Sequence, residues 1–299
     1  MKFHNKKKRL IQSFVMLCFS ILSIAQTAQP VLFNDTKGDI QVNGAGQLQF
    51  TLPIALPPGI KNVSPQANLV YINSSPNGVA GYGWSIAGIT SISRMGKDIE
   101  VDGGLKGVQL DYSDTYNFNG QRLVLKAGEY GKDGAEYITG KFYNTKIKSI
   151  GTITGKLWKG PEYWVVTFSD GSQAWYGATS SGDSSARTPL EYNIVKWRDA
   201  QGNSIAYNYI QDPETNVSVI SSIKWGGNES LGKAHYNEIG FNYSGAIQRS
   251  LIEQSYINGL SFLQDKLLNN IIVKTNNSQY RKYDIIYKSE DTKYQFVDK

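Results

Sequence analysis

The chain has 299 residues with a formal net charge of +6, 12% aromatic content led by 19 tyrosines, and 30 glycines but only one cysteine. Lys2, Lys6, Lys7, Lys8 and Arg9 supply five of the positive charges, and residues 1–25 hold no acidic residue, so removing them lowers +6 by five to +1. The remainder carries no basic cluster for a nucleic acid or an anionic membrane surface, and no cysteine for a disulfide, so an exported chain of this size must rely on a large hydrophobic core.

At the N-terminus the basic residues are followed by the apolar run Leu10 to Ala25, interrupted only by Gln12, Ser13, Ser20 and Ser23. This is a signal-peptide layout. The run is shorter than the roughly 20 residues that cross a bilayer and closes on Ser23-Ile24-Ala25, small at both positions that a signal peptidase reads. Residues 1–25 are therefore expected to be a cleaved signal, leaving a secreted chain that does not insert into a membrane. Leu17 ahead of Cys18 argues against a lipoprotein signal. Residues 26–38, short and without periodicity, are expected to be a linker to a β domain at 39–299.

Leu48, Phe50 and Leu52 alternate with Gln49 and Thr51, the period of a half-buried strand, until Pro53 and Pro57-Pro58 stop it. Ala67 to Tyr71 is a second strand. Tyr163 to Phe168 and Gln173 to Tyr176 form a hairpin across Ser169-Asp170-Gly171-Ser172, and Tyr192 to Trp197 and Ser204 to Tyr209 form another across residues 198–203. Val219 to Trp225, Glu238 to Tyr243, Asn270 to Lys274 and Tyr280 to Tyr287 continue the series. Ile252 to Leu268 mixes near-helical leucine spacing with the hairpin dipeptide Asn258-Gly259 and is read as strand. Little room remains for helix. The predicted class is all-β: an antiparallel hairpin meander forming a sandwich-like or shell-like sheet. The sequence runs to Lys299 with no closing turn, so the sheet is expected to be cut at its C-terminus, exposing Ile285, Tyr287, Phe296 and Val297.

No stretch specifies catalysis. Asp199 with Gly202 and Asn203, and Asp111 to Gly120 with Asp114, Asn117 and Asn119, are turn devices that lack the alternating carboxylates of a calcium loop. Gly78, Gly81 and Gly83 around Tyr82 and Trp84 suit a close backbone approach that drives Trp84 into a core, with sugar stacking on Tyr82 or Trp84 as the functional rival. Glu136, Glu162, Asp170 and Glu191 could converge as a glycosidase pair, though nothing singles out any two. His235, the only histidine after residue 25, reads as solvent-facing. Asn62-Val63-Ser64 and Asn216-Val217-Ser218 match a glycosylation sequon short enough to arise by chance. No catalytic, metal or cofactor residue is assigned.

Several segments carry a family resemblance: Gly44 to Gly46, Thr51 to Ile54, Pro58-Gly59, Pro65 to Tyr71, Gly81 to Ile89 and Ile92 to Arg94, then Asn119 to Leu123, Phe168 to Gly171, Tyr176-Gly177, Trp197 to Asp199, Gly202-Asn203 and Tyr207 to Tyr209. Together they span roughly residues 38–290, and the block Pro65 to Arg94 is the most specific. The chain resembles the N-terminal domain of SpvB/TcB-type toxin proteins, which are related to Rhs and YD-repeat shells. The resemblance implies a β-rich domain of a long secreted polypeptide, followed by a propeller and an Rhs-like shell, and no catalytic residue transfers with it. The actin ADP-ribosyltransferase of some relatives has no counterpart in these residues. The expected role is non-catalytic: a structural and interaction domain whose partners are the downstream Rhs/propeller region or toxin-complex subunits. A glycan-binding β domain is the alternative, and a carbohydrate-active enzyme the weaker one.

Export with cleavage after Ala25 predicts a secreted protein whose first residue is Gln26. Mass spectrometry of its N-terminus checks this, and intact Met1 in a membrane fraction would overturn it.

Overall fold

Alternating apolar residues, broken every few positions by Gly, Asn or Asp, build a structure made almost wholly of antiparallel strands. A computed structural model describes residues 37–140, 144–212, 214–244, 252–288 and 294–299. The expected signal peptide and all but the last two linker residues lie outside the described residues.

The first sheet has the order β1-β2-β3-β6, from β1 (Asp39–Val42), β2 (Leu48–Pro53), β3 (Asn68–Ile72) and β6 (Trp84–Ala87). Between β3 and β6 sits the two-residue ladder β4 (Asn77–Gly78) with β5 (Gly81–Tyr82). Eight further strands follow: β7 (Ser91–Met95), β8 (Thr115–Phe118), β9 (Gln121–Ala127), β10 (Glu136–Thr139), β11 (Lys146–Ile150), β12 (Tyr163–Thr167), β13 (Gln173–Tyr176) and β14 (Glu191–Arg198). Each pairs with the next, and β14 pairs back to β7, so the eight close into an antiparallel barrel. Closure removes the open edges that a free sheet presents, and eight strands leave an interior just wide enough for side chains to fill.

Strand β14 also starts the next sheet. On one edge it pairs with β13. On the other, Glu191, Tyr192 and Asn193 pair with β7, while Lys196, Trp197 and Arg198 pair with β15 (Asn203–Gln211). The register against β13 skips Val195, a bulge at the point where one partner gives way to the other. From β15 the sheet runs through β16 (Ser218–Asn228), β17 (Asn237–Ser244), β20 (Leu267–Thr275) and β21 (Ser278–Asp284).

The turns follow the predicted chemistry. Asn119-Gly120 joins β8 to β9 with φ of 50° and 74°, and Asn258-Gly259, with φ of 46° and 80°, joins β18 (Glu253–Ile257) to β19 (Leu260–Gln264). The segment Ile252 to Leu268 is therefore a hairpin followed by the start of β20, rather than one strand. Asp199 Oδ1 accepts from the backbone N–H of Gln201 and Asn203, as expected of a turn device. One helical turn, α1 (Ile99–Asp102), is capped by Asp98, whose carboxylate accepts from Glu100 and Val101 N–H.

The first sheet is fastened to the second by backbone groups in the proline-rich segment that ends β2. Trp225 Nε1 donates to the Pro57 carbonyl at 3.1 Å, Asn237 Nδ2 to that of Pro58 at 3.1 Å, and the Tyr283 hydroxyl accepts from Ala55 N–H at 2.9 Å. Trp225 is fully buried. Ile285, Tyr287, Phe296 and Val297 are half-buried rather than exposed, because the segment Tyr294–Lys299 runs back antiparallel to residues 286–288.

Gly88 has φ of +97°, and a Cβ there would lie 2.5 Å from the Gln66 carbonyl oxygen, whereas Gly103, at +69°, faces open space. Gly103→Ala is expected to cost about 1 kcal/mol from backbone strain alone, and Gly88→Ala clearly more. Denaturant midpoints of the two variants check this, and equal losses would refute the close approach.

Candidate functional site

Along the barrel strands every second side chain points inward: Ile92 and Arg94 from β7, Tyr116 and Phe118 from β8, Tyr137 from β10, Trp164 and Val166 from β12, Tyr176 from β13, Tyr192 and Ile194 from β14. Large rings fill the interior. The Trp164 ring centroid lies 4.9 Å from Tyr116, 5.3 Å from Tyr137 and 5.9 Å from Tyr192, in tilted and edge-on arrangements that suit ring quadrupoles. Its buried indole N–H has no hydrogen-bond acceptor.

Arg94 is the one cation in this interior among the described residues. Its Nε donates to the Pro189 carbonyl at 2.8 Å, and Nη1 to the Asp111 carbonyl and to Asp114 Oδ2, both at 3.0 Å, while Nη2 reaches the Lys159 carbonyl. The guanidinium carbon lies 5.2 Å from the Tyr116 ring centre and 5.8 Å from that of Trp158. Asp114 also accepts from Gln109 N–H at 2.7 Å. Both side chains of the pair are essentially without solvent exposure. The loop residue Gly160 allows this convergence, because a Cβ there would fall within 2.9 Å of Arg94 Nη2 and of the Tyr116 and Tyr192 hydroxyls. Burial drives the Tyr116 hydroxyl well above its ordinary pKa and that of Tyr192 up to about 12, so both rings stay neutral. The groups that Arg94 bonds thus tie three loop segments to the barrel. Sequence reasoning read Arg94 only as part of a family block and Asp114 only as a turn residue. The available signal was an arginine in step with Ile92 on the inward face of a strand.

The four candidate carboxylates do not come together. Glu136 on β10 and Glu191 on β14 lie four strands apart in either direction around the ring. Glu136 is ion-paired with Lys146 at 2.9 Å on the outside, which lowers its pKa. Asp170 accepts from Ser172 N–H and Oγ in the β12–β13 turn, bonds that hold its pKa down. Glu162 packs against Gly151. Glu191 keeps some surface in solvent, yet burial raises its carboxyl above the ordinary 4.5, opposed by a hydrogen bond from Asn193.

His235 is half-buried instead of solvent-facing, with Nε2 3.0 Å from the hydroxyl of buried Ser204, and burial lowers its pKa. Tyr82 packs between Tyr294 and Phe296 at 4.9 and 5.2 Å, and Trp84 against Phe50 and Tyr71 at 6.0 and 5.5 Å. Both rings of the stacking hypothesis are therefore held in internal clusters. Of the sequon asparagines, Asn216 donates its amide to the Ser261 carbonyl at 3.0 Å, while Asn62 is exposed. Among the described residues no group of three or more His, Cys, Asp or Glu side chains is placed to hold a metal ion.

The raised carboxyl of Glu191 sets a pH dependence. A folded-state pKa above the unfolded value contributes stability that is fully present below the unfolded pKa and lost as pH rises through the folded one. Ionised Glu191 therefore costs stability at neutral pH. Glu191→Gln is expected to raise the denaturant midpoint at pH 7 and to leave it nearly unchanged at pH 4. A gain of equal size at both pH values, or a loss at pH 7, would contradict this.

Solved structures share this architecture. TcdB2-TccC3 matches with a TM-score of 0.65 and 14% identity over 88% of this chain and 16% of that chain. The N-terminal domain of effector protein SpvB from Salmonella typhimurium strain LT2 matches with a TM-score of 0.60 and 14% identity over 82% of this chain and 96% of that domain. The Photorhabdus luminescens Tc holotoxin pore with the TccC3 mutation D651A matches with a TM-score of 0.61 and 13% identity over 88% of this chain and 15% of that one. The chain thus spans about a sixth of the length of the toxin-complex chains that it matches, and at this identity the likeness is one of fold. No curated protein matches it by sequence. The sequence profile of the Salmonella virulence plasmid 65kDa B protein family, SpvB, covers residues 42–236, well over half of the chain, and the chain belongs to that family.

Proposed function

We propose that this chain acts as a non-catalytic structural and interaction domain of a secreted toxin-complex or Rhs-type shell protein. The observation that carries this reading is the solid barrel: its inward positions are occupied by packed rings and by an arginine whose donors are engaged by carbonyls and one carboxylate, the build of a wall element and not of a reaction site. Family membership and the fold shared with toxin-complex chains support that reading.

The surfaces suited to contact are the sheet ends. Among the described strands β1 lies at one end of the first sheet and β21 at the far end of the second, and unpaired strand edges are templates for pairing with another chain. On β1, Ile40 and Val42 are each 69% exposed on one face, with no lysine, proline or bulge to discourage such pairing. The partners are the downstream polypeptide and neighbouring toxin-complex subunits.

Hydrogen exchange on the full chain, alone and as part of the longer polypeptide with its subunits, tests the reading. Amides of Asp39–Val42 or Ser278–Asp284 are expected to gain protection in the assembly, and Ile40→Lys with Val42→Lys is expected to weaken assembly without lowering the chain's own thermal midpoint. Unchanged exchange at both edges would overturn the reading. So would turnover of a polysaccharide or of NAD that is abolished by removing one acidic residue with the fold intact.

A further inference from the structure

Beyond its role as a wall, the protein has an open cleft of about 340 Å³ where the barrel and the second sheet part at β14. It lies at the lower end of the roughly 300–1,000 Å³ range of ligand pockets. Phe168, Trp197 and Tyr207 line it, and the exposed Ser64, Gln66 and Asn119 stand at its rim. No charged side chain lines it. The cavity at the other end of β14 differs, being lined by Lys156, Asp183 and Arg187.

Two observations show that the polar groups of this cleft are not consumed by the fold. The Ser64 hydroxyl and the Gln66 and Asn119 side-chain amides are exposed and form no hydrogen bond with the described protein. Tyr207 is only 8% exposed, yet its hydroxyl also lacks a protein partner. Neighbouring Tyr176, by contrast, bonds Thr90 Oγ1 at 3.0 Å, and Tyr209 donates to the Ile194 carbonyl at 2.8 Å. The Tyr207 hydroxyl is therefore free to bond a ligand hydroxyl without breaking a bond within the protein.

We propose that this cleft binds a neutral carbohydrate. The electron-rich faces of Phe168, Trp197 and Tyr207 attract the weakly positive C–H groups on the apolar face of a pyranose ring. The amides of Gln66 and Asn119 can each donate to and accept from sugar hydroxyls, as can the hydroxyls of Ser64 and Tyr207. A nucleotide or an acidic sugar would bring a negative charge, and no cation lines the cleft to receive it. A purely apolar peptide side chain would leave the rim amides and the Tyr207 hydroxyl unmatched.

Isothermal titration of the exported full chain with neutral cello-, manno- and chito-oligosaccharides tests the proposal. At least one series is expected to bind saturably and with little dependence on salt. Gln66→Ala, at an exposed position, and Trp197→Phe, which keeps a smaller ring, are each expected to weaken binding several-fold, while Lys156→Ala in the other cavity leaves it unchanged. Circular dichroism confirms that each variant is folded. Absence of saturable binding to all three series by the folded protein would overturn the proposal. So would binding indifferent to both cleft variants, salt-sensitive binding of acidic oligosaccharides only, or preference for an apolar peptide.

Discussion

A strand has two hydrogen-bonding edges, and β14 must serve three partners. The peptide between Asn193 and Ile194 shows how. The Asn193 carbonyl accepts from Gly177 on the β13 side, while the Ile194 N–H donates to Thr90 on the β7 side. Past this point β7 is gone and β15 takes over the same edge at Lys196. The bulge at Val195 supplies the extra residue, and hence the bend and added twist, that lets one strand leave the barrel wall and enter a differently directed sheet. Barrel closure and the departure of the second sheet both follow from this shared edge.

The filled barrel shows how a buried charge can be kept in a structural core. Burying Arg94 and Asp114 carries a desolvation penalty of several kcal/mol per ion, which their mutual attraction offsets only when the remaining donors and acceptors are satisfied. Here loop carbonyls of Asp111, Lys159 and Pro189, drawn from three separate segments, satisfy those donors. Removing one partner from such a pair typically costs about 3–5 kcal/mol, whereas well-packed apolar residues can replace the whole pair at little cost. What the ion pair adds is direction. Four polar contacts fix where the loops cross the barrel end, and an apolar plug would impose no such registry.

Local features were legible in the sequence, whereas long-range ones were not. The alternation in Leu48 to Leu52 and in Tyr163 to Tyr176 gave strands β2, β12 and β13 within a residue or two, since a half-buried strand has to repeat with period two. Turn residues such as Asn119-Gly120 announced themselves because their backbone needs positive φ. Ring closure left no local trace, because the pairing of Tyr192 with Ile92 joins residues far apart in the chain by backbone bonds common to any sequence. The same limit misplaced His235, which looked available beside a turn and is covered by Ser204, a residue distant in sequence. Arg94 was readable in principle from its inward phase, but its partner lies beyond an intervening helix and loop.

The fork at β14 also accounts for the open surface beside it. Where two sheets share a strand and then diverge, the side chains facing the angle between them cannot all be covered by either sheet. At Trp197, the outward-going half of β14 turns its ring into that angle, and Tyr207 from β15 and Phe168 from the β12–β13 turn meet it there. The segment Asn62 to Gln66 crosses the opening and brings polar side chains to its rim. An aromatic floor with a neutral polar rim therefore arises from the topology, without any residue leaving the positions that barrel closure requires. Trp197 is in register with Ala174 and Ile205, so its ring lies on the same face of β14 as the inward Tyr192 and Ile194, and Phe118 and Tyr176 from the barrel interior line the same cleft. The inward face of the barrel thus continues past the fork into the cleft, where the departing sheet leaves aromatic side chains beside unmatched hydrogen-bonding groups.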